Sequence, residues 1–235
     1  MRNDVIISVV IPVLGDLDAL TQILEHLRSL ASVPNEIIVV DGANDRHCEG
    51  LCADHDCVYL STAPGRGHQL DAGASRASGH VIWFLHADSR PPISAVDRIR
   101  GAISDGAIGG YFRFQFTGTP TWYKRLLAWL INLRSRIGVP YGDQGLFIRR
   151  SQYFKFGGFA DTPLFEEVPL VKAARRNGHF VQLAVAIGVS PRRWERDGWL
   201  RRTLANRMLA LGYTVGMSPA KLARHYQSGQ SSAGK

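Results

Sequence analysis

Glu36-Ile37-Ile38-Val39-Val40-Asp41 is an unbroken apolar run closed abruptly by a carboxylate, and Val81-Ile82-Trp83-Phe84-Leu85-His86-Ala87-Asp88 repeats the pattern later in the chain. Runs rich in Val and Ile that are apolar at successive positions are expected of strands buried on both faces of a parallel sheet. In such sheets ligands collect beyond the carboxyl ends of the strands. The two acids are therefore expected on one functional rim. Two further acidic stretches follow, Tyr141-Gly142-Asp143-Gln144-Gly145 and the pair Glu166-Glu167.

Outward from these strands the chain alternates. Val5 to Pro12 reads as a first strand, and about Asp16 to Ala31 as an amphipathic helix with Leu17, Leu20, Ile23, Leu24 and Leu27 on its apolar face. After the strand Glu36 to Val40 come a helical segment near Asp45 to Asp54, a strand at Val58 to Leu60, a helix around Gln69 to Ala77 and the strand Val81 to Leu85. This predicts an α/β fold with a doubly wound, mostly parallel sheet and helices on both faces. Pro91-Pro92 open another helix, and then the rhythm changes. Phe112, Phe114 and Phe116 at alternate positions predict a strand with one buried face.

A long helix is expected over about Trp122 to Ile137, a turn at Gly157-Gly158, a helix near Leu164 opened by Glu166 and Glu167, and a strand at Phe180 to Ile187. Two helices over about Arg196 to Tyr226, broken near Met217-Ser218-Pro219, form a C-terminal extension, and residues 227–235 read as a disordered tail. The division expected is one catalytic domain over 1–195, with halves 1–110 and 111–195, followed by the helices of 196–226.

With 45% hydrophobic and 20% charged residues among 235, the chain has the composition of a globular protein with a sizeable core. No apolar stretch approaches the roughly 18 residues of a membrane span, and MRNDVIISVV leads into a strand without a cleavable signal pattern. A cytoplasmic protein is expected. The formal charge of +8 gathers after residue 120, in Lys124-Arg125, Arg149-Arg150, Arg175-Arg176, Arg192-Arg193 and Arg201-Arg202, without the interleaved aromatics of a base-stacking platform. This argues against nucleic acid and for a phosphate-bearing substrate or an anionic membrane contact. Cys48, Cys52 and Cys57, beside His47 and His55, match no paired zinc spacing and read as free thiols.

Several residues have the chemistry of a site. Asp41 is placed either to accept hydrogen bonds from a ribose or base or to cap the helix that follows. Gly65-Arg66-Gly67-His68-Gln69 puts small residues and a guanidinium at the mouth of a helix, where an anion is favoured. Its glycine spacing is not that of a dinucleotide fingerprint. His86 and Asp88 fall on the same side of the chain. Asp88 suits Mg²⁺ or Mn²⁺, which take one or two carboxylates plus substrate phosphates; His86 reads equally as a hydrogen-bonding core residue. Of Glu166 and Glu167, adjacent on the chain, one is expected to face the site.

In order along the chain, SVVIP at Ser8 to Pro12, EIIVVDG at Glu36 to Gly42, Gly65 to Gly67, FLHADS at Phe84 to Ser89, GGF at Gly157 to Phe159 with the Glu pair after it, and Arg193-Trp194 resemble a family 2 glycosyltransferase of the GT-A fold. FLHAD, YGDQG and PLFEE further resemble the subgroup associated with arsenosugar biosynthesis and selenium-linked radical enzymes.

The resemblance implies an inverting, metal-assisted transfer from a nucleotide diphosphate sugar to the hydroxyl of a small-molecule or lipid-linked acceptor. It implies donor contacts at Pro12, Asp41, Arg66, Gln69, His86, Ala87 and Asp88, Mg²⁺ or Mn²⁺ on Asp88, and a catalytic base from the pair Glu166 and Glu167, most often the second. Asp143 and Gln144 are expected at the sugar or acceptor, with Arg193 and Trp194 closing over the diphosphate or, alternatively, packing at a helix start.

The chain departs from the family pattern at His86, where Asp is usual, at Gly15 for Asn, at Glu167 for Asp, and at Pro169 and Ser190. The rival reading is a non-catalytic nucleotide-sugar-binding or scaffolding module. Trp199, Leu200, Leu204, Met208 and Leu211 form an apolar face beside Arg201, Arg202 and Arg207. It is expected to pack on the catalytic domain, with peripheral docking on anionic lipid as the open alternative.

Overall fold

The computed structural model describes residues 5–224; the predicted tail lies outside them. Eight strands form one sheet in the order β3-β2-β1-β4-β7-β6-β8-β5. They are β1 (Ile7–Val13), β2 (Glu36–Asp41), β3 (Val58–Ser61), β4 (Val81–Phe84), β5 (Ser89–Arg90), β6 (Gly109–Phe116), β7 (Phe147–Arg149) and β8 (Phe180–Val189). β3, β2, β1 and β4 run parallel, as do β6 and β8, while β7 is antiparallel to both β4 and β6.

Register explains the rim. Val13 lies opposite Asp41, so β1 and β2 end together. Phe84 at the end of β4 lies opposite Val10, and Leu85 N–H donates to Val10 O at 3.0 Å, so the chain leaves β4 three residues earlier toward the same rim. Alternation divides the core: Val9, Ile11 and Val13 face one side of the sheet, Val10 the other.

On the first side pack α1 (Leu17–Arg28), α2 (Arg46–Asp54), α4 (Ala95–Ser104) and α5 (Trp122–Ile137), with Phe112, Phe114 and Phe116 of β6 turned toward them. On the second pack α3 (Arg66–Arg76), α6 (Arg150–Lys155) and α7 (Val168–Asn177). Close approach of α3 depends on Gly73, where a Cβ would stand 2.4 Å from Val10 Cγ1. The chain continues through α8 (Arg192–Asp197) and α9 (Trp199–Thr214), and residues 219–224 are again helical, so the break expected near Met217 to Pro219 is present.

Four expectations need correcting. β7 and α6 were not legible, and α8 begins before the expected extension, so a boundary between 195 and 196 passes through it. α3 starts at Arg66 instead of Gln69, which brings the guanidinium into its first turn. The helix expected near Leu164 starts at Val168, because Phe165 takes a left-handed φ of 62° and turns the chain before the helix can form; Glu166 and Glu167 therefore precede α7. Last, Trp199 packs on Phe116 and Tyr123, but Leu200, Leu204, Met208 and Leu211 are 83%, 58%, 65% and 64% exposed, so the apolar face of α9 does not pack on the body.

Candidate active site

The site forms where β1, β2 and β4 end. Asp41 is buried, with its carboxylate turned inward: Oδ1 accepts from Ala43 N–H at 2.8 Å, and Oδ2 from Asp45 N–H at 2.6 Å and Tyr59 OH at 3.1 Å. It organises the loop after β2, while the cap of α2 is Asp45, which accepts from His47 N–H. Gln69 is likewise taken up by the fold, its Nε2 donating to Val13 O and Val40 O at 2.8 Å each. Pro12, beside them on β1, is partly exposed.

Arg66, in the first turn of α3, reaches the loop before α7. Its Nε lies 2.5 Å from Oε1 of Glu166, whose side chain is 2% exposed. Gly67 permits this, since a Cβ there would meet Ala160 O at 3.0 Å and Glu166 Cβ at 3.2 Å. Burial works against the charge of Arg66, but Glu166 and then Glu167 outweigh it and raise its pKa. Glu167 is buried, and its Oε2 has no hydrogen-bond partner among the described residues. Burial first, and the neighbouring Glu166 charge second, push its pKa up to about 7, against the opposing pull of Arg66.

His86 follows β4 with Nε2 buried and without a hydrogen-bond partner among the described residues. Burial, reinforced by Arg66 and Arg193, lowers its pKa to about 3, so the imidazole is neutral at ordinary pH. Gly142 lies against it, 3.2 Å from the ring nitrogen to an added Cβ. Ala87 is partly exposed at the rim. Asp88 is 37% exposed and faces Arg192, whose Nη2 stands 3.6 Å from Asp88 and 3.5 Å from Asp16 after β1.

Asp143, in the short 3₁₀ turn Gly142–Gln144, is drawn into the same electrostatic cluster. Burial raises its pKa while Arg134, Arg66 and Arg193 oppose, and its Oδ1 has no partner among the described residues. Gln144 serves the fold, accepting from Ser135 Oγ at 2.6 Å and donating to Phe112 O.

Arg193 acts electrostatically on both His86 and Asp143, so it belongs to the cluster. Trp194 turns away into the core against Phe116, ring centroids 5.0 Å apart, as its packing alternative anticipated. The structure thus gathers Arg66, His86, Asp88, Asp143, Glu166, Glu167 and Arg193, and assigns Asp41, Gln69, Gln144 and Trp194 contacts within the fold.

Two participants were not foreseen. Arg192 was visible only as part of a basic pair. Arg134 of α5 lies over the Tyr141 ring, 3.9 Å from its centroid, beside Asp143; only the fold brings α5 to this turn.

The sequence model of glycosyl transferase family 2 matches residues 8–159. An undecaprenyl-phosphate 4-deoxy-4-formamido-L-arabinose transferase from Enterobacter sp. (strain 638) is 25% identical over 162 residues, covering 61% of this chain and 47% of that protein. Its counterpart from Proteus mirabilis (strain HI4320) is also 25% identical, with 61% and 48% covered. The chain therefore spans about half the length of these curated relatives.

Among solved structures, glucosyl-3-phosphoglycerate synthase from Mycobacterium tuberculosis with Mn²⁺, UDP-glucose and glycerol 3-phosphate superposes with a TM-score of 0.60 at 20% identity, over 80% of this chain and 72% of that one. The same enzyme with Mg²⁺ and UDP gives 0.58 at 19% identity, over 80% and 71%. These likenesses show the GT-A fold, while the narrower arsenosugar-linked resemblance remains one of motifs. With more than half of its length matched by the family's own pattern, the chain belongs to glycosyl transferase family 2.

Proposed function

We propose that the chain moves a sugar from a nucleotide diphosphate sugar to an acceptor hydroxyl with inversion at the anomeric carbon, Glu167 taking the proton. The observation that carries this reading is the placement of Glu167: a buried carboxylate with one oxygen unpartnered among the described residues, beside a second acid already tied to Arg66. In that setting burial and the like charge push its pKa up to about 7. A base is most effective when its pKa lies near the working pH. The acceptor oxygen attacks the anomeric carbon, the bond to the diphosphate oxygen breaks with its electron pair leaving on the diphosphate, and the acceptor proton passes to Glu167.

Arg193 and Arg192 supply positive charge on the leaving-group side, and Asp143 offers sugar hydroxyls a carboxylate oxygen that is unpartnered among the described residues. Asp41 shapes the loop on which the nucleotide base would rest. Asp88 fits a divalent ion: it is a rim carboxylate, a guanidinium already stands between it and Asp16, and one or two carboxylates with phosphate oxygens are a sufficient set for Mg²⁺ or Mn²⁺. When bound, such an ion neutralises charge on the departing diphosphate.

Glu167→Ala is expected to lower transfer by about 10²- to 10⁴-fold, read by product formation from a panel of nucleotide sugars. Near-normal turnover by that variant would remove Glu167 from the role. The neutral His86 where the family usually has an acid favours the second reading, a non-catalytic nucleotide-sugar-binding module. Calorimetric binding of a nucleotide sugar without transfer or hydrolysis by the unaltered protein would select it.

A further inference from the structure

We infer that α5 and α9 together form a platform that seats the protein on an anionic phospholipid bilayer. Each helix is apolar on the side away from the body. On α5, Trp122, Leu126, Trp129, Leu133 and Ile137 recur at three- and four-residue spacing and are 75%, 49%, 58%, 42% and 81% exposed, while Leu127 and Ser135 on the opposite side are buried. On α9 and its end, Leu200, Leu204, Met208, Leu211 and Val215 repeat the pattern, each more than half exposed, and the inward side carries Trp199 and Arg202. Single exposed apolar side chains are ordinary; two continuous stripes, each along a helix of 16 residues, are not.

The two helices are joined at both ends. Tyr123 meets Trp199 at 4.9 Å between ring centroids. At the far end Tyr141, under Arg134 of α5, meets Phe165 at 5.5 Å, and Phe165 meets Tyr213 of α9 at 4.7 Å. Phe165 immediately precedes the Glu pair, so the platform borders the candidate active site.

Charge selects the occupant. Exposed Arg125 and Arg136 edge one stripe, and exposed Arg201 and Arg207 flank the other. A second copy of a chain of net charge +8 would bring these cations against their equals, whereas anionic headgroups complement them. Beside Trp129 and Leu133 a cavity of about 340 Å³ is lined by Arg113, Arg136 and Gln182. The Gln182 amide nitrogen is buried and without a hydrogen-bond partner among the described residues. A headgroup phosphate would find two guanidinium groups and an amide donor there.

The test is co-sedimentation of the full chain with phosphatidylcholine vesicles, with and without phosphatidylglycerol, together with tryptophan emission. No sugar donor is present, so this result and the fate of the transfer reading are independent. Binding about tenfold or more tighter to the anionic vesicles is expected, with a blue shift from Trp122 and Trp129. Leu204→Glu with Met208→Glu, and separately Leu126→Glu with Trp129→Glu, should each weaken it about tenfold at unchanged melting temperature. Arg113→Gln with Arg136→Gln should reduce the preference for anionic over neutral vesicles. Failure to sediment with anionic vesicles, sedimentation indifferent to both stripe variants, or a dimer in light scattering that either stripe variant dissolves would overturn the inference.

Discussion

Arg66 Nε stands 2.5 Å from Glu166 Oε1, so the guanidinium that opens α3 is committed to the first acid of the pair and leaves Glu167 to titrate beside a like charge. The arrangement separates two chemically identical side chains by environment. Glu166 is held by the guanidinium, and the pKa of Glu167 is pushed up to about 7 by burial and by its neighbour.

If Glu167 is the base, kcat/KM should rise with pH through an acid limb near 7, because only the carboxylate accepts a proton. Glu166→Gln removes the like charge and returns the pull of Arg66 to Glu167, so the limb should move to lower pH. Arg66→Gln removes the opposing cation and should move it higher. Opposite displacements of the limb, measured from initial rates over pH 5 to 9, are the expected outcome.

The same group makes stability depend on pH. Its folded pKa of about 7 lies above the ordinary 4.5, so the native state holds the proton more tightly. The stability contributed by protonated Glu167 is fully present below pH 4.5 and is lost as pH rises through 7. Glu167→Gln should abolish this component and be more stable than the unaltered protein at pH 8, by on the order of 3 kcal/mol. At pH 4 the two should converge, which denaturant titration at both pH values checks.

If a divalent ion binds at Asp88, Arg192, whose Nη2 stands 3.6 Å from Asp88 and 3.5 Å from Asp16, competes with it. Because its side chain is 62% exposed, the pairing is a surface one. Arg192→Ala is therefore expected to tighten the apparent affinity for Mn²⁺ by about two- to fivefold without altering the melting temperature. Asp88→Asn should instead remove the response to Mn²⁺. Both are read from nucleotide-sugar turnover against metal concentration.

Gln69 should prove architectural. Gln69→Leu keeps the volume but removes the amide donor that Val13 O shares with Gly42 N–H and that Val40 O also accepts, at the ends of two central strands. A loss of about 1–3 kcal/mol is expected in urea denaturation. A fully stable variant with weakened donor binding would return Gln69 to the ligand.

Much of the fold was legible because the repeating signals are local. The continuous apolar runs before Asp41 and Asp88, the alternate Phe112, Phe114 and Phe116, and the span of α5 each announce their own backbone period. β7 has three residues and pairs antiparallel between two longer strands, too short to display any period. The Glu pair looked like a first helical turn until the left-handed Phe165 displaced the helix start. Asp41, Gln69 and Gln144 carry ligand-like chemistry, but each is consumed by backbone or side-chain partners that become neighbours only on folding.

By itself, then, the sequence determined the alternating architecture, the rim on which strand-ending acids fall and the family to which its ordered motifs belong, since period and order are properties of the chain. Tertiary structure decided which polar groups remain available there, that Arg66 holds Glu166 rather than standing open, and that the apolar faces of α5 and α9 point outward. Hydrogen-bond satisfaction, burial and the choice between two apolar sides of a helix depend on residues far apart in the chain, and no local pattern records them.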